Sequence, residues 1–161
     1  MVLWCHKTTL GENEMEKNRK ELKAFSILIL VVVALELIRA IVGLCVNGIP
    51  KVTEIPEGMT ENMVQISSII AFALSLAIFI PQIYVAIKGI RIANGDVSGK
   101  AHIIWAVILA ILAGISVVSG ISGLFKEFNF DAVMELLGPA IDLIMFICYL
   151  IYARKVAKGL N

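Results

Sequence analysis

The sequence predicts an all-α integral membrane protein, a bundle of four transmembrane helices with both termini in the cytoplasm. Of the 161 residues, 59% are hydrophobic, whereas a soluble domain is about 45–50% apolar. The excess is concentrated in four blocks, each long enough to cross a bilayer as one helix. These blocks are the predicted spans, residues 24–46, 63–87, 103–125 and 133–153.

The basic residues predict the orientation of the chain. Eleven of the fourteen Lys and Arg residues precede the first span, lie between the second and third spans, or follow the fourth. The other two connections contain one basic residue each. Because positively charged connections stay in the cytoplasm, both termini are expected there, in a bacterial plasma membrane. The formal net charge of +1 argues against a nucleic-acid partner.

Residues 1–23 are expected to be a cytoplasmic tail that ends in a juxtamembrane helical turn, before a transmembrane domain over residues 24–158. The stretch from Gly11 to Glu14, just before Met15, can be encoded by purine-rich codons that resemble a bacterial ribosome-binding site. We therefore hypothesise that Met15 is the natural start and that the preceding residues are a gene-model extension. Peptides from Met1–Glu14 in the native protein would refute this.

The first span contains two ionisable residues near its middle, Glu36 and Arg39. Side chains three residues apart share one face of a helix. Each costs about 2.5–3.5 kcal/mol at the centre of a membrane helix. The pair is therefore expected to face protein or water rather than lipid.

The second span contains a proline and an amide within its apolar sequence. Pro81 is predicted to kink the helix, because it frees a backbone carbonyl one turn earlier. Gln82 belongs to a seven-residue repeat of polar and small residues that is expected to face neighbouring helices. Thr60 is a candidate N-cap for this span, and Gly95 in the following connection is a candidate for the left-handed conformation.

The third span carries small residues at four-residue spacing, which permits close helix approach. We expect this surface to pack inside the bundle rather than to form a homodimer contact. His102, just before the span, is expected to anchor the membrane interface rather than to bind a metal. The small residues form the pairs Ser116/Gly120 and Ser119/Gly123.

The fourth span contains a second proline and a carboxylate. Pro139 is predicted to kink the helix, and Asp142 follows it within one turn, at about the depth of Glu36. Tyr149 is assigned to the cytoplasmic interface, where tyrosines are common.

The predicted intramembrane polar network consists of Glu36, Arg39, Gln82 and Asp142. Arg39 is expected to pair with one of the two acids, and the remaining carboxyl is expected to bind a proton. Either the network fixes the helix register as a structural ion pair, or its free carboxyl exchanges a proton or cation with solvent.

Two resemblances bear on the second interpretation. Ile80-Pro81-Gln82-Ile83-Tyr84, followed by basic residues, resembles the proline–glutamine signature of PQ-loop carriers. That resemblance implies a three-helix transport unit formed by the second to fourth spans. Four spans with a carboxylate in the first resemble small multidrug-resistance transporters, which implies a carrier that works as an oligomer.

No catalytic nucleophile–base pair, metal-ligand spacing or cofactor motif is found, so the chain is predicted not to be an enzyme and to need no cofactor. The expected function is that of a small membrane protein acting through helix contacts as a subunit, modulator or protective factor. Its partners would be the lipid bilayer and either further copies of itself or a larger membrane complex. The alternative is a small proton- or cation-coupled carrier working as an oligomer.

Overall fold

The computed structural model describes residues 2–47, 60–96, 99–126 and 130–159, and all regular structure in these ranges is helical. Each of the four helices is long and apolar enough to cross a membrane. The predicted all-helical fold class is therefore confirmed. The helices are α1 (Val2–Asn47), α2 (Glu61–Ala93), α3 (Ala101–Lys126) and α4 (Phe130–Gly159).

The helices extend beyond the apolar blocks, most clearly in α1. The polar residues 12–23 continue the helix, instead of forming a tail with a single helical turn. They are rich in Glu, Lys and Arg, which are good helix formers, and Glu16 pairs with Lys20 one turn later at 2.7 Å. This segment also packs against the other helices, because Leu22 is fully buried and Met15 lies against Gly159 of α4.

The helices form a four-helix bundle in which neighbours along the chain run in opposite directions. Helix α1 packs against α2 and α4, and α3 packs against the same two helices. The C-terminal end of α2 lies beside the middle of α1, where Lys23 Nζ donates a hydrogen bond of 3.1 Å to Oδ1 of Asn94, the residue that follows α2. The arrangement is that of an up-and-down bundle.

The hydrophobic core occupies one end of the bundle. We call this end, which is formed by residues 12–33, 83–109 and 145–159, the tail end. In the opposite half, which we call the connection end, most described residues are half-buried or exposed, Val64 being a buried exception. The buried core residues are Leu22, Ile29, Val33, Val85, Ala86, Ile92, Ala106, Leu109, Met145, Phe146, Tyr149, Ala153 and Val156.

Three helices approach closely at Gly89, which belongs to the predicted seven-residue repeat. A methyl group at Gly89 would overlap Ser26 Oγ of α1 and would lie 2.6 Å from Cε2 of Tyr149 of α4. The Tyr149 hydroxyl donates a hydrogen bond of 3.1 Å to the Val85 carbonyl. Tyr149 is fully buried, so its side chain faces the other helices, and its depth in a membrane stays a prediction. Burial is tolerated because the hydroxyl has a backbone acceptor.

His102 also lies inside the bundle, with only 4% of its surface exposed. Its Nδ1 lies 2.9 Å from the Gly99 carbonyl, and its ring meets the edge of Tyr149 at 6.4 Å between centroids. The prediction of an interfacial anchor is therefore wrong. The buried ring nitrogen has a partner there, the backbone carbonyl of Gly99 one turn earlier.

The predicted helix ends are borne out at one position and modified at another. Gly95 has a φ of +104°, which confirms the left-handed conformation after α2. Thr60 stands at the N-cap of α2 with extended backbone, but its side chain makes no capping hydrogen bond.

Candidate functional site

A cavity of about 780 Å³ lies between the four helices. It adjoins the core on the side of the connection end. Its volume falls within the roughly 300–1,000 Å³ of small-molecule sites in proteins. Every helix contributes to its wall. The lining residues are Glu36, Arg39, Ile78, Gln82, Leu109, Leu112, Ala113, Ser116, Gly138, Pro139, Asp142 and Phe146.

The structure brings all four residues of the predicted polar network, Glu36, Arg39, Gln82 and Asp142, to this one cavity. Helix α1 contributes Glu36 and Arg39, because a three-residue step keeps both on one face. The same step brings Asp142 onto the face of α4 that carries Pro139. The polar wall is therefore built from α1, α2 and α4.

The predicted ion pair between Arg39 and an acid does not form. The ion pairs of the described residues join Glu16 to Lys20 and Arg91 to Asp96, both at the tail end. Arg39 is exposed, whereas Glu36 and Asp142 are half-buried. Glu36 and Arg39 lie three residues apart on α1, and both line the cavity together with Asp142 of α4. The expectation that Arg39 pairs with one of the two acids is therefore not met among the described residues.

Gln82 is the most enclosed of the four polar side chains, with 6% of its surface exposed. Its Oε1 is buried and has no hydrogen-bond partner. A buried acceptor left unsatisfied costs about 1–3 kcal/mol, and such groups in proteins usually meet water, an ion or a ligand. Gln82 therefore lines the cavity with other atoms, while its Oε1 is enclosed by the protein.

The floor of the cavity is apolar and belongs to the core. Leu109 and Phe146 line the cavity and are also among the buried core residues. Ile78 and Leu112 extend this apolar surface upward along α2 and α3. The cavity thus combines a polar wall with a hydrophobic floor. The floor is the surface of the packed core at the tail end.

The small residues of α3 have different surroundings at different positions along the helix. Ser116 lines the cavity, and its hydroxyl donates to the Leu112 carbonyl at 3.1 Å. Gly120 allows close packing, because a methyl group there would lie 3.0 Å from Cδ1 of Leu136 of α4. Ser119 is exposed, and no described atom lies within 4 Å of a methyl group added at Gly123. Among the described side chains, Ser119 and Gly123 therefore do not show the predicted internal packing.

Both prolines lie at the level of the cavity. Pro139 lines it, and Pro81 immediately precedes Gln82. The helices α2 and α4 continue through them, so the kinks stay predictions. Each proline nevertheless removes one backbone hydrogen bond from its helix, which weakens the ladder at that level.

Sequence reasoning missed the apolar part of the site. Ile78, Leu109 and Phe146 look like ordinary membrane-helix residues, and their place beside the acids depends on how four helices meet. The one available signal was the helical spacing of Leu109, Leu112 and Ser116, which share one face. Within the described ranges, no group of three or more His, Cys, Asp or Glu residues is arranged to hold a metal ion.

Comparisons of the chain with protein-family models, with curated proteins and with solved structures gave no match. The resemblances to PQ-loop carriers and small multidrug-resistance transporters therefore depend only on the residues quoted for them above.

Proposed function

We propose that this protein is a small, non-enzymatic membrane carrier that binds a proton or cation in the cavity between its four helices. The observation that carries the proposal is the cavity itself, which exposes the carboxyls of Glu36 and Asp142 beside Gln82. A scaffold would bond its charged groups to one another and exclude water. A carrier needs these groups free to exchange their partner.

The polar residues have distinct roles in this proposal. Glu36 and Asp142 bind the proton or cation, because a carboxylate in a low-dielectric cavity gains most by being neutralised. Gln82 lies beside them in the polar wall. Arg39, which stays charged, lies exposed near the connection end and reduces the net negative charge of the cavity to that of one carboxylate.

The distribution of packing supports a carrier open to one side. With both termini in the cytoplasm of a bacterial cell, the tightly packed tail end closes the inner side and the cavity faces outward. The switch to an inward-facing state requires α2 and α4 to bend at the level of the cavity. Pro81 and Pro139 are the natural points for that bending, because their helices lack a backbone hydrogen bond there.

Proton flux into liposomes tests the proposal. Purified protein is reconstituted with a pH-sensitive dye inside the vesicles, and acidification is followed after an external pH drop. We expect wild-type flux above that of empty vesicles and a reduction of about tenfold or more in Glu36→Gln. Glu12→Gln, which alters an exposed residue at the far end of α1, is the matched control and should retain the flux.

Equal fluxes in wild type and Glu36→Gln would contradict the carrier. A second candidate, a subunit that acts through helix contacts, is favoured by the exposed small residues Ser119 and Gly123 on α3. Small residues on a membrane-facing surface allow another helix to approach closely. That candidate gains weight if the protein catalyses no flux and copurifies with a second membrane protein.

A further inference from the structure

We infer that a cleft between the polar part of α1 and the end of α4 binds the phosphate headgroup of an anionic phospholipid. The cleft lies at the tail end and has a volume of about 340 Å³. It shares no lining residue with the cavity between the four helices, so the inference does not depend on the proposed carrier. The lining residues are Glu14, Met15, Asn18, Lys155, Lys158 and Gly159.

The cleft carries an excess of positive charge. Lys155 and Lys158 are exposed, and neither forms an ion pair with another described residue. Glu14, the acid in the lining, therefore leaves a net charge of one positive unit. The dipole at the end of α4 is equivalent to about half a negative charge, so the cleft stays positive and attracts an anion.

The polar groups of the cleft suit a phosphate. Lys155 and Lys158 lie three residues apart and so share one face of α4. Both ammonium groups can therefore reach a single phosphate, whose oxygens accept several charge-assisted hydrogen bonds. Asn18 adds an amide donor from the facing helix α1.

The surface of α4 next to the cleft is apolar. Ile147 and Ile151 share a face with Lys155, because they precede it by eight and four residues. Both isoleucines are exposed. This face of α4 therefore changes from apolar to basic close to the predicted end of the span at residue 153.

Aromatic rings lie at the same level of the bundle. Phe25 of α1 stacks against Tyr152 with 5.6 Å between ring centroids, and Lys155 Nζ lies 5.5 Å from the centroid of the Tyr152 ring. Aromatic rings are common at the membrane–water interface, where lysine side chains extend their ammonium groups into the headgroup layer. The lysines are therefore within reach of lipid phosphates.

A phospholipid matches this sequence of surfaces better than a soluble anion does. Its acyl chains can lie against Ile147 and Ile151 while its phosphate meets the two lysines. A soluble anion would use only the basic part. The positive charge of the cleft further favours an anionic lipid over a zwitterionic one, whose own cationic group offsets its phosphate.

Thermal unfolding of the purified protein in dodecyl maltoside micelles tests this with three additives. They are dioleoylphosphatidylglycerol, dioleoylphosphatidylcholine and sn-glycerol 3-phosphate. We expect phosphatidylglycerol to raise the unfolding temperature by about 3 °C more than phosphatidylcholine, because a ligand that binds the folded state stabilises it. Glycerol phosphate, which lacks acyl chains, should leave the unfolding temperature unchanged.

Variants assign the lipid preference to the two lysines, each variant being compared with itself in phosphatidylcholine. The double change Lys155→Gln and Lys158→Gln should abolish the preference, whereas Lys155→Arg and Lys158→Arg together should retain it. Lys100→Gln is the matched control, because it removes an exposed charge at the tail end but outside the cleft. It should retain the preference.

The wild-type comparison of the two lipids is decisive without any variant. Equal unfolding temperatures in phosphatidylglycerol and phosphatidylcholine would overturn the inference. So would an equal loss of preference in Lys100→Gln and in the double glutamine variant, which would show that the whole basic surface acts without a specific site. An equal rise with glycerol phosphate would assign the cleft to a soluble anion and would overturn the inference as well.

Discussion

At the scale of single residues, Gln82 and Gly89 differ in how well their positions are filled by the surrounding structure. They are seven residues apart on one face of α2, one at the cavity and one in the core. Gln82 has an unsatisfied buried acceptor, whereas Gly89 has no room for a methyl group between Ser26 and Tyr149. The seven-residue repeat correctly places both residues on an inward face, but it does not predict which level of the bundle contains the cavity.

Replacing Gln82 by Leu should stabilise the protein while it impairs function. The change removes a buried acceptor that costs about 1–3 kcal/mol when unsatisfied, so the unfolding temperature in detergent should rise. Gln65→Leu, an exposed site on the same helix, is the control and should change it little. A fall in the unfolding temperature of Gln82→Leu relative to Gln65→Leu would show that the acceptor is satisfied within the protein.

Gly89→Ala should have the opposite effect. The added methyl group collides with Ser26 and Tyr149, and overpacking of this kind costs about 1–3 kcal/mol. The control is Gly43→Ala on α1, where nothing lies within 4 Å and alanine is the better helix former. Thermal unfolding followed by circular dichroism measures both variants. Equal unfolding temperatures would contradict the close three-helix contact.

At the scale of helices, the sequence predicts where each apolar block lies but not how far its helix extends. Hydropathy locates the spans because lipid selects apolar residues. Helix formation responds instead to propensity and packing, so α1 continues through its polar residues 12–23. The small residues of α3 illustrate the same limit. Their spacing identifies a surface that permits close approach, whereas the neighbouring helix decides which positions use it.

Replacement by valine should therefore change the unfolding temperature differently at Gly120 and at Gly123. Gly120→Val introduces bulk against Leu136 of α4, where a methyl group would already lie 3.0 Å away. We expect its unfolding temperature in detergent to drop by several degrees, as about 1–3 kcal/mol of overpacking implies. Gly123→Val should behave like wild type in the monomer. A change of oligomeric state in Gly123→Val alone would instead assign this position to a contact between chains.

At the scale of the whole molecule, the bundle is tightly packed at the tail end and contains the cavity next to that packed core. The sequence predicts that Glu36, Arg39, Gln82 and Asp142 are placed together, because intramembrane polar residues avoid lipid and three spans supply them at similar depth. It does not predict that they line a cavity. Pairing of Arg39 with an acid satisfies the same sequence equally well, and the choice depends on the separation of the helices.

The proposed carrier needs water to reach that cavity inside the membrane. Ser116 lines the cavity, whereas Val118, two residues later on α3, is 69% exposed on the outside of the bundle. Single cysteines at these positions, in a background without the native cysteines, can be tested in permeabilised membranes. The reagent is a charged methanethiosulfonate, which reacts with thiolates in water.

We predict fast modification of Ser116→Cys and slow modification of Val118→Cys. An unreactive Ser116→Cys in correctly folded protein would mean that the space between the helices is closed and dry, and it would contradict the account.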